Sequence, residues 1–173
     1  ASARWGDGEG LYDYRAHADR LLHDVLHRQP ITGPTNRGPM TAVNLFDHEA
    51  KMARFTPDLV NASHTDASYH LPAFYETWAR MGPEADRAFW RAAAQVSRDY
   101  FVSAAHPVTA LTPDYGNFAG SPWAASWRPE SADFRYDAWR SAMNWSMDWS
   151  WWRADPRQVG LSNRLQGFFL EQG

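Results

Sequence analysis

The sequence has 173 residues, 44% of them apolar, which is enough for one domain with a buried core and excludes a disordered chain. The formal net charge is -3 and basic and acidic residues are interleaved, so the sequence offers no basic face for nucleic acid. It contains no apolar run of about eighteen residues that could span a membrane, and no cysteine for disulfides, thiol catalysis or thiolate metal sites.

The N-terminal part of the chain is predicted to combine one helix with loops and a small hairpin. Apolar residues recur at helical spacing over residues 11–28 and predict an amphipathic helix. Residues 29–39 are rich in Pro, Gly, Thr and Asn, which predicts a loop. Two short extended runs, 40–45 and 51–56, predict a hairpin around residues 46–49, and a second loop follows at 61–66.

The remainder is predicted to consist of helices joined by long loops. A helix begins at Pro72, a favoured first-turn residue, and Gly82-Pro83 ends it and starts a longer one. Residues 106–129 are predicted to form a loop and about 134–152 another helix. Asp155-Pro156 opens the last helix, whose predicted apolar side holds Val159, Leu165, Phe168 and Phe169. Long loops in a compact domain are usually functional.

The chain is unusually rich in aromatic residues, with ten tryptophans, seven tyrosines and nine phenylalanines. Most of these rings are expected to fill a core. A tryptophan also presents a flat apolar face and a polar N–H, which suit the alternating C–H and hydroxyl faces of a sugar ring. The composition therefore hints at carbohydrate binding.

A polar stripe on the predicted helix 136–152 is the strongest candidate site. Asp137, Arg140, Asn144 and Asp148 fall within about 80° of one another on a helix that is otherwise aromatic, aliphatic or small. Such a pattern is typical of a buried helix that faces a polar cleft. One interpretation is a buried ion pair between Asp137 and Arg140. The other is a carboxylate held ionised by an arginine and able to act as a general base.

Two other polar segments allow a functional and a structural interpretation. His23 and His27 resemble a zinc-binding pair, but both project away from the apolar stripe of their helix, which favours a solvated face. Asp66 or Ser68 could cap the helix that follows them. In the alternative, Tyr69 and His70 face a cleft at the helix mouth.

Five segments, in order, resemble glycoside hydrolase family 8. Residues 66–76 are similar to the D-P-S-Y-H-L-P-x-F-Y-E segment of that family, and residues 136–140 resemble the segment that holds its catalytic base. Segments 1–8, 86–90 and 106–115 continue the match, so the resemblance extends over essentially the whole chain. It is nearest to the xylan-active branch, which includes enzymes that release xylose from the reducing end of xylo-oligosaccharides.

The resemblance implies an all-α fold that forms part of an (α/α)6 barrel, with helical hairpins and long loops. It implies an inverting hydrolase of β-1,4-linked xylan or xylo-oligosaccharides that uses no metal and no organic cofactor. By position, Asp137 is the general base, Arg140 its charge partner and Tyr69 an active-site tyrosine near the base. The candidate substrate-binding residues are Tyr136, Asn144 and His70.

The general acid of the family is a glutamate in an E-G-M-S-Y-G-M-like helix, and a further aspartate lies in a P-D-G-E-like motif; neither motif occurs in this sequence. We therefore expect residues 1–173 to be a single partial catalytic domain, inactive alone, without the acid-bearing N-terminal part and without the C-terminal part. A monomer that binds an oligo- or polysaccharide is expected, in a secreted or periplasmic rather than cytoplasmic location. The alternatives are a β-glucanase, cellulase or chitosanase of the same family, another (α/α)6 enzyme, or a non-catalytic sugar-binding helical module.

Overall fold

The computed structural model describes all residues from 1 to 173 and confirms a mostly helical chain with a few short strands. None of its helices has the length and apolarity needed to cross a membrane. The six α-helices are α1 (Ser2–Trp5), α2 (Tyr14–His27), α3 (Pro72–Met81), α4 (Arg87–Ala104), α5 (Arg140–Trp152) and α6 (Arg157–Glu171). The strands are β1 (Ile31–Thr35), β2 (Gly38–Ala42), β3 (Phe46–Asp47), β4 (Met52–Ala53), β5 (Thr65–Asp66) and β6 (Tyr115–Gly116).

Helix α2 begins at Tyr14, three residues later than the apolar spacing predicts. Gly10–Tyr12 form a 3₁₀ turn, and the carboxylate of Asp13 accepts the N–H of Ala16 at 3.0 Å as an N-terminal cap. A side-chain oxygen at this position satisfies an N–H that has no partner within the helix. The cap therefore fixes where the helix starts.

The predicted loop over residues 29–39 is wrong, because most of it belongs to a β-hairpin. Strands β1 and β2 pair antiparallel with Ile31 opposite Ala42, and the hydroxyls of Thr32 and Thr41 lie 2.8 Å apart. Proline is tolerated because each strand of a two-stranded sheet has a free edge. The hairpin predicted around residues 46–49 is only partly right. Its strands β3 and β4 have two residues each and β3 lies at 46–47, where the turn was predicted, while most of the predicted strand 40–45 belongs to β2 or follows it, and β2 pairs with β1.

Helices α3 and α4 form an antiparallel pair that contains most of the aromatic core. The prediction that α3 begins at Pro72 is confirmed, and Gly82 ends it. Trp90 and Tyr75 are fully buried and pack with Phe46 of β3 and Leu26 of α2. The core therefore joins the two helices to the N-terminal helix and the second hairpin.

Helix α5 begins at Arg140 and not near residue 134 or 136. Tyr136 has a φ of 46°, outside the right-handed helical region, and residues 136–139 form a turn instead. Not all the tryptophans on and next to this helix lie in the core. Trp145 is buried, but Trp139 and Trp151 are at least half exposed. The buried residues of α5 are Ser141, Asn144, Trp145 and Asp148, so only two members of the polar stripe lie on its buried face.

Helix α6 packs on α5 through a face that differs in part from the predicted one. Leu161 and Leu165 are buried against Trp145, whereas Val159 and Phe169 are exposed. The predicted role of Asp155 is confirmed, because its carboxylate accepts the N–H of Arg157 at 3.0 Å just before the helix begins.

Candidate active site

Three loops meet beside the start of α5, and a short sheet joins two of them. Strand β5 pairs with β6, so that Asp66 lies opposite Tyr115 and Thr65 opposite Gly116. A Cβ on Gly116 would collide with the Tyr100 hydroxyl, so glycine lets the two strands approach α4. The third loop is the turn before α5. Residues far apart in sequence are thereby brought to one surface.

Asp137 and Arg140 form an ion pair at this surface, across the turn and the first residue of α5. The side chain of Asp137 is 53% exposed and that of Arg140 34% exposed. The pair is therefore not the buried ion pair that was one interpretation of the sequence. One carboxylate oxygen contacts the guanidinium, and the exposed part of the carboxylate is open to a water or ligand. This arrangement suits a group that must accept a proton from water.

The other two members of the predicted stripe lie beneath the surface. Asn144 is buried and donates from Nδ2 to the Ser68 carbonyl at 2.8 Å, which fixes the turn that carries Tyr69. Asp148 is fully buried and bonds Arg98 and Gln158. The prediction that Asn144 and Asp137 face one polar groove is therefore wrong for Asn144, and Asp148 is a structural residue.

Tyr69 lies near the surface of the site, whereas the adjacent His70 lies in the core. Tyr69 is partly buried in the 3₁₀ turn Ala67–Tyr69, and its ring is parallel to that of Phe55 with 6.1 Å between centroids. His70 is fully buried, stacks on Tyr100, and uses both ring nitrogens on the hydroxyls of Thr65 and Ser97 at 3.0 and 3.1 Å. Burial lowers the pKa of His70 to about 3. The predicted contact of His70 with a sugar does not fit this position, which supports the turn from below.

Tyr136 lies at the rim, with about half of its side chain exposed. Its hydroxyl donates to the Glu130 carboxylate at 3.2 Å, and the Arg128 guanidinium lies 4.6 Å from its ring centroid. Arg128 also donates to the Tyr115 hydroxyl at 3.3 Å. An exposed ring face held by a cation–π contact is suited to stack on a sugar.

Two buried carboxylates at the site, Asp66 and Asp114, were not identified as functional from the sequence. Burial raises the pKa of Asp66 to about 6, with the charge of Asp114 adding to this effect and the hydrogen bond from the Ser68 N–H and the charge of Arg140 opposing it. Burial likewise raises the pKa of Asp114, and the charge of Asp137 adds to it. The sequence did contain a feature that could have indicated them. Each aspartate lies within three residues of a tyrosine in a polar loop, in Asp66-Ala67-Ser68-Tyr69 and in Asp114-Tyr115.

The candidate zinc pair does not bring further ligands together. His27 binds the Asp86 carboxylate at 2.7 Å, and His23 is largely exposed. No cluster of three or more His, Asp or Glu side chains with metal-binding geometry occurs in the chain. The chemistry that the site offers is that of carboxylates, an arginine and aromatic rings.

Comparison with known proteins gives strong matches over essentially the full chain. A family 8 glycoside hydrolase from Teredinibacter turnerae, crystallised as a xylobiose complex, is 67% identical with a TM-score of 0.96, covering 99% of this chain and 44% of that one. The reducing-end xylose-releasing exo-oligoxylanase of Paenibacillus barcinonensis is 42% identical over 99% of this chain and 42% of its own length. The corresponding enzyme of Halalkalibacterium halodurans is 35% identical over 99% of this chain and 41% of its own length.

No family model matches the chain. The sequence spans about two fifths of the length of the curated relatives, and the aligned part includes the turn that carries Asp137. Because this structural match covers 99% of the chain, the aligned backbone includes the hairpins, the helical pair and the three loops at the site. The chain is therefore homologous, over essentially its whole length, to part of the glycoside hydrolase family 8 enzymes, and its mostly helical fold matches a part of their (α/α)6 barrel.

Proposed function

We propose that the complete protein is an inverting glycoside hydrolase that cleaves β-1,4-linked xylo-oligosaccharides, with Asp137 as the general base. The observation that carries the proposal is the half-exposed Asp137 carboxylate, paired with Arg140 and surrounded by Tyr69, Tyr136 and buried carboxylates. A carboxylate with an open side can bind and deprotonate a water, whereas a carboxylate with all its oxygens occupied cannot.

The inverting reaction needs two carboxyl groups on opposite sides of the glycosidic bond. One protonates the leaving oxygen while the other deprotonates a water that attacks from the opposite face, and the two stand about 6.5–9.5 Å apart to admit that water. Asp137 supplies the second function. The glutamate that would supply the first belongs, by the resemblance to the family, to a segment outside residues 1–173.

The arginine and the aromatic rings have separate roles in this mechanism. Arg140 orients the Asp137 carboxylate through the ion pair. Tyr69 lies close enough to Asp66, Arg140 and Asp137 for their charges to affect its pKa, as expected for a residue beside the reacting sugar. Tyr136 offers its exposed ring face to a neighbouring sugar. Asn144 supports the Tyr69 turn from beneath.

The names of the relatives support a xylose-based substrate. The curated relatives are reducing-end xylose-releasing exo-oligoxylanases, and the Teredinibacter turnerae structures are named as xylobiose and xylohexaose complexes. We propose that the complete protein acts on the same class of substrate, as a monomer and as one catalytic domain that contains residues 1–173.

The test is the stereochemistry of the product. The complete protein is incubated with xylohexaose, and the anomeric form of the new reducing end is followed by NMR before mutarotation. We expect the α-anomer to appear first, because a single displacement inverts the β-linkage. Cello- and chito-oligosaccharides in parallel reactions address the glucanase and chitosanase alternatives. Initial formation of the β-anomer, or faster cleavage of another glycan, would contradict the proposal.

A further inference from the structure

The turn that carries Tyr69 is held by side chains from two different helices. It is the 3₁₀ segment Ala67–Tyr69, between β5 and α3. Asn144 of α5 donates from Nδ2 to the Ser68 carbonyl at 2.8 Å. The next carbonyl along the chain, that of Tyr69 itself, accepts the hydroxyl of Tyr75 of α3 at 3.0 Å. Consecutive carbonyls of the turn are therefore bound by α5 and by α3.

Tyr75 is a rigid donor, because its ring is enclosed by the aromatic core. The residue is only 1% exposed. Its ring meets that of Phe46 edge-on with 5.4 Å between centroids, and the rings of Trp78 and Trp90 lie at 5.3 and 5.7 Å. A side chain in a close-packed core has little freedom to move. The hydroxyl at the end of this ring is therefore a fixed point for the Tyr69 carbonyl.

The Tyr69 carbonyl depends on this hydroxyl because the main chain cannot supply the usual partner. In a turn, a carbonyl commonly accepts the N–H of the residue three positions later. Here that residue is Pro72, which has no N–H. An unpaired carbonyl away from water is unfavourable. Without the Tyr75 hydroxyl, we expect the turn to shift until this carbonyl reaches water or another donor.

The position of the Tyr69 side chain depends in turn on this backbone. Its ring is parallel to that of Phe55, with 6.1 Å between centroids, and such a face-to-face contact lets a ring slide within its own plane. Burial raises the pKa of Tyr69, and the charges of Asp66, Arg140 and Asp137 act on it as well, so these groups lie close to it. A displaced turn would move the Tyr69 hydroxyl relative to them.

We propose that Tyr75 is a positioning residue for Tyr69: its hydroxyl fixes the backbone of the turn and thereby where the Tyr69 hydroxyl lies relative to Asp137. The inference rests on the proposed function, in which Tyr69 lies beside the reacting sugar. Misplacement of a catalytic group by about 1 Å can cost about 10²-fold in rate. Tyr75 itself lies in the core, so it acts through Tyr69 and does not touch the substrate.

The test compares Tyr75→Phe with Thr77→Val in the complete enzyme, by steady-state kinetics on xylohexaose. Each substitution removes one hydroxyl of α3 that donates to a main-chain carbonyl, but that of Thr77 binds Ala73 within the helix, at 3.1 Å. We expect Tyr75→Phe to lower kcat by between about threefold and about 100-fold, and Thr77→Val to change it less than about twofold. Thermal unfolding checks that both variants are folded at the assay temperature.

A double-mutant cycle shows whether Tyr75 acts through Tyr69. Tyr69→Phe removes the hydroxyl that the turn positions, so Tyr75→Phe should lower kcat less than about twofold further in that background. A core residue with only a general effect on the fold would lower kcat by the same factor in both backgrounds. That result, or a loss of less than about threefold for Tyr75→Phe in the otherwise wild-type enzyme, would overturn the proposal.

If Tyr75→Phe does not fold, 4-fluorophenylalanine replaces Tyr75, because the fluorine fills the space of the hydroxyl and cannot donate a hydrogen bond; the same outcomes then apply. Full activity of Tyr69→Phe or of Asp137→Asn would instead refute the role that the proposed function gives to that residue, and the inference with it. That result differs from a fully active Tyr75→Phe in an enzyme that depends on both Tyr69 and Asp137.

Discussion

The Arg98 guanidinium and the Asp148 carboxylate meet through two parallel hydrogen bonds, Nε to Oδ2 at 2.8 Å and Nη2 to Oδ1 at 2.9 Å. The side chains are 5% and 0% exposed, and Gln158 adds a third bond to the same carboxylate at 2.7 Å. Arg98 also reaches Glu76 of α3. One ionic cluster therefore connects helices α3, α4, α5 and α6.

We expect Asp148→Ala to destabilise the complete enzyme by about 3–5 kcal/mol, because it leaves a buried guanidinium without its main partner. The measurement is the free energy of unfolding in urea. Asp137→Ala is the matched control, since it removes another aspartate paired with an arginine beside the same helix. Its exposed pair should contribute less than about 1 kcal/mol. Equal losses of unfolding free energy in the two variants would contradict the prediction that the buried Asp148 pair contributes more to stability than the exposed Asp137 pair.

Asp137→Asn should abolish turnover in the complete enzyme and leave substrate binding nearly intact. The amide keeps the size of the side chain but cannot take a proton from water, so kcat should fall by about 10²–10⁴-fold with little change in KM. The measurement is steady-state kinetics on xylohexaose, with Asp133→Asn, another exposed aspartate nearby, as the control. Retention of more than about a tenth of kcat, against this expected loss, would remove Asp137 as the base.

Residues 1–173 alone should hydrolyse no glycan at a useful rate. In the proposed mechanism these residues supply the base but not the acid that protonates the leaving oxygen, and each such group contributes about 10²–10⁴-fold. The check is reducing-sugar release from xylo-oligosaccharides by the purified chain, compared with its Asp137→Ala variant. Activity above that variant would mean that another group within the chain acts as the acid.

Asp66 should make stability depend on pH. Its pKa is about 6 in the folded protein and 3.8 in the reference state, so its contribution is fully present below about pH 4 and is lost as pH rises through 6. One pKa unit corresponds to about 1.4 kcal/mol, which gives a loss of about 2–3 kcal/mol by pH 7. Asparagine can still accept the Ser68 N–H and carries no charge.

The measurement is the difference in unfolding free energy between wild type and Asp66→Asn, taken at pH 4 and at pH 7. We expect the variant to gain stability relative to wild type as the pH rises between these values. Asp24→Asn, at an exposed position on α2, controls for loss of one negative charge. A difference that stays constant with pH would contradict a raised pKa for Asp66.

The helices and the family segments could be predicted from sequence because both depend on local patterns. Pro72 and Gly82 bound α3, and Asp155 caps α6, through contacts within a few residues. The hairpin of β1 and β2 was missed because Pro, Gly and Thr favour turns, while the pairing that makes the strands depends on residues up to eleven positions apart, such as Ile31 and Ala42.

The site was predictable only in part, for a related reason. Spacing along a helix placed Asp137 and Asp148 on one stripe, but spacing does not tell how deeply each side chain is buried. The structure puts one at the surface and the other against Arg98 on α4. Asp66 and Asp114 meet through the pairing of β5 and β6, two strands of two residues, which no periodic pattern reveals.

The left-handed backbone of Tyr136 also restricts which residues selection can accept there. Valine, isoleucine and threonine are the least tolerated at positive φ, because their branched Cβ collides with the backbone. Glycine would relax the turn but remove the ring, and asparagine would keep the turn and lose the stacking face. In a saturation library at this position, the non-aromatic variants should therefore separate into those that fold without activity and those that fail to fold. Aromatic residues should be the group enriched after selection for growth on xylo-oligosaccharides.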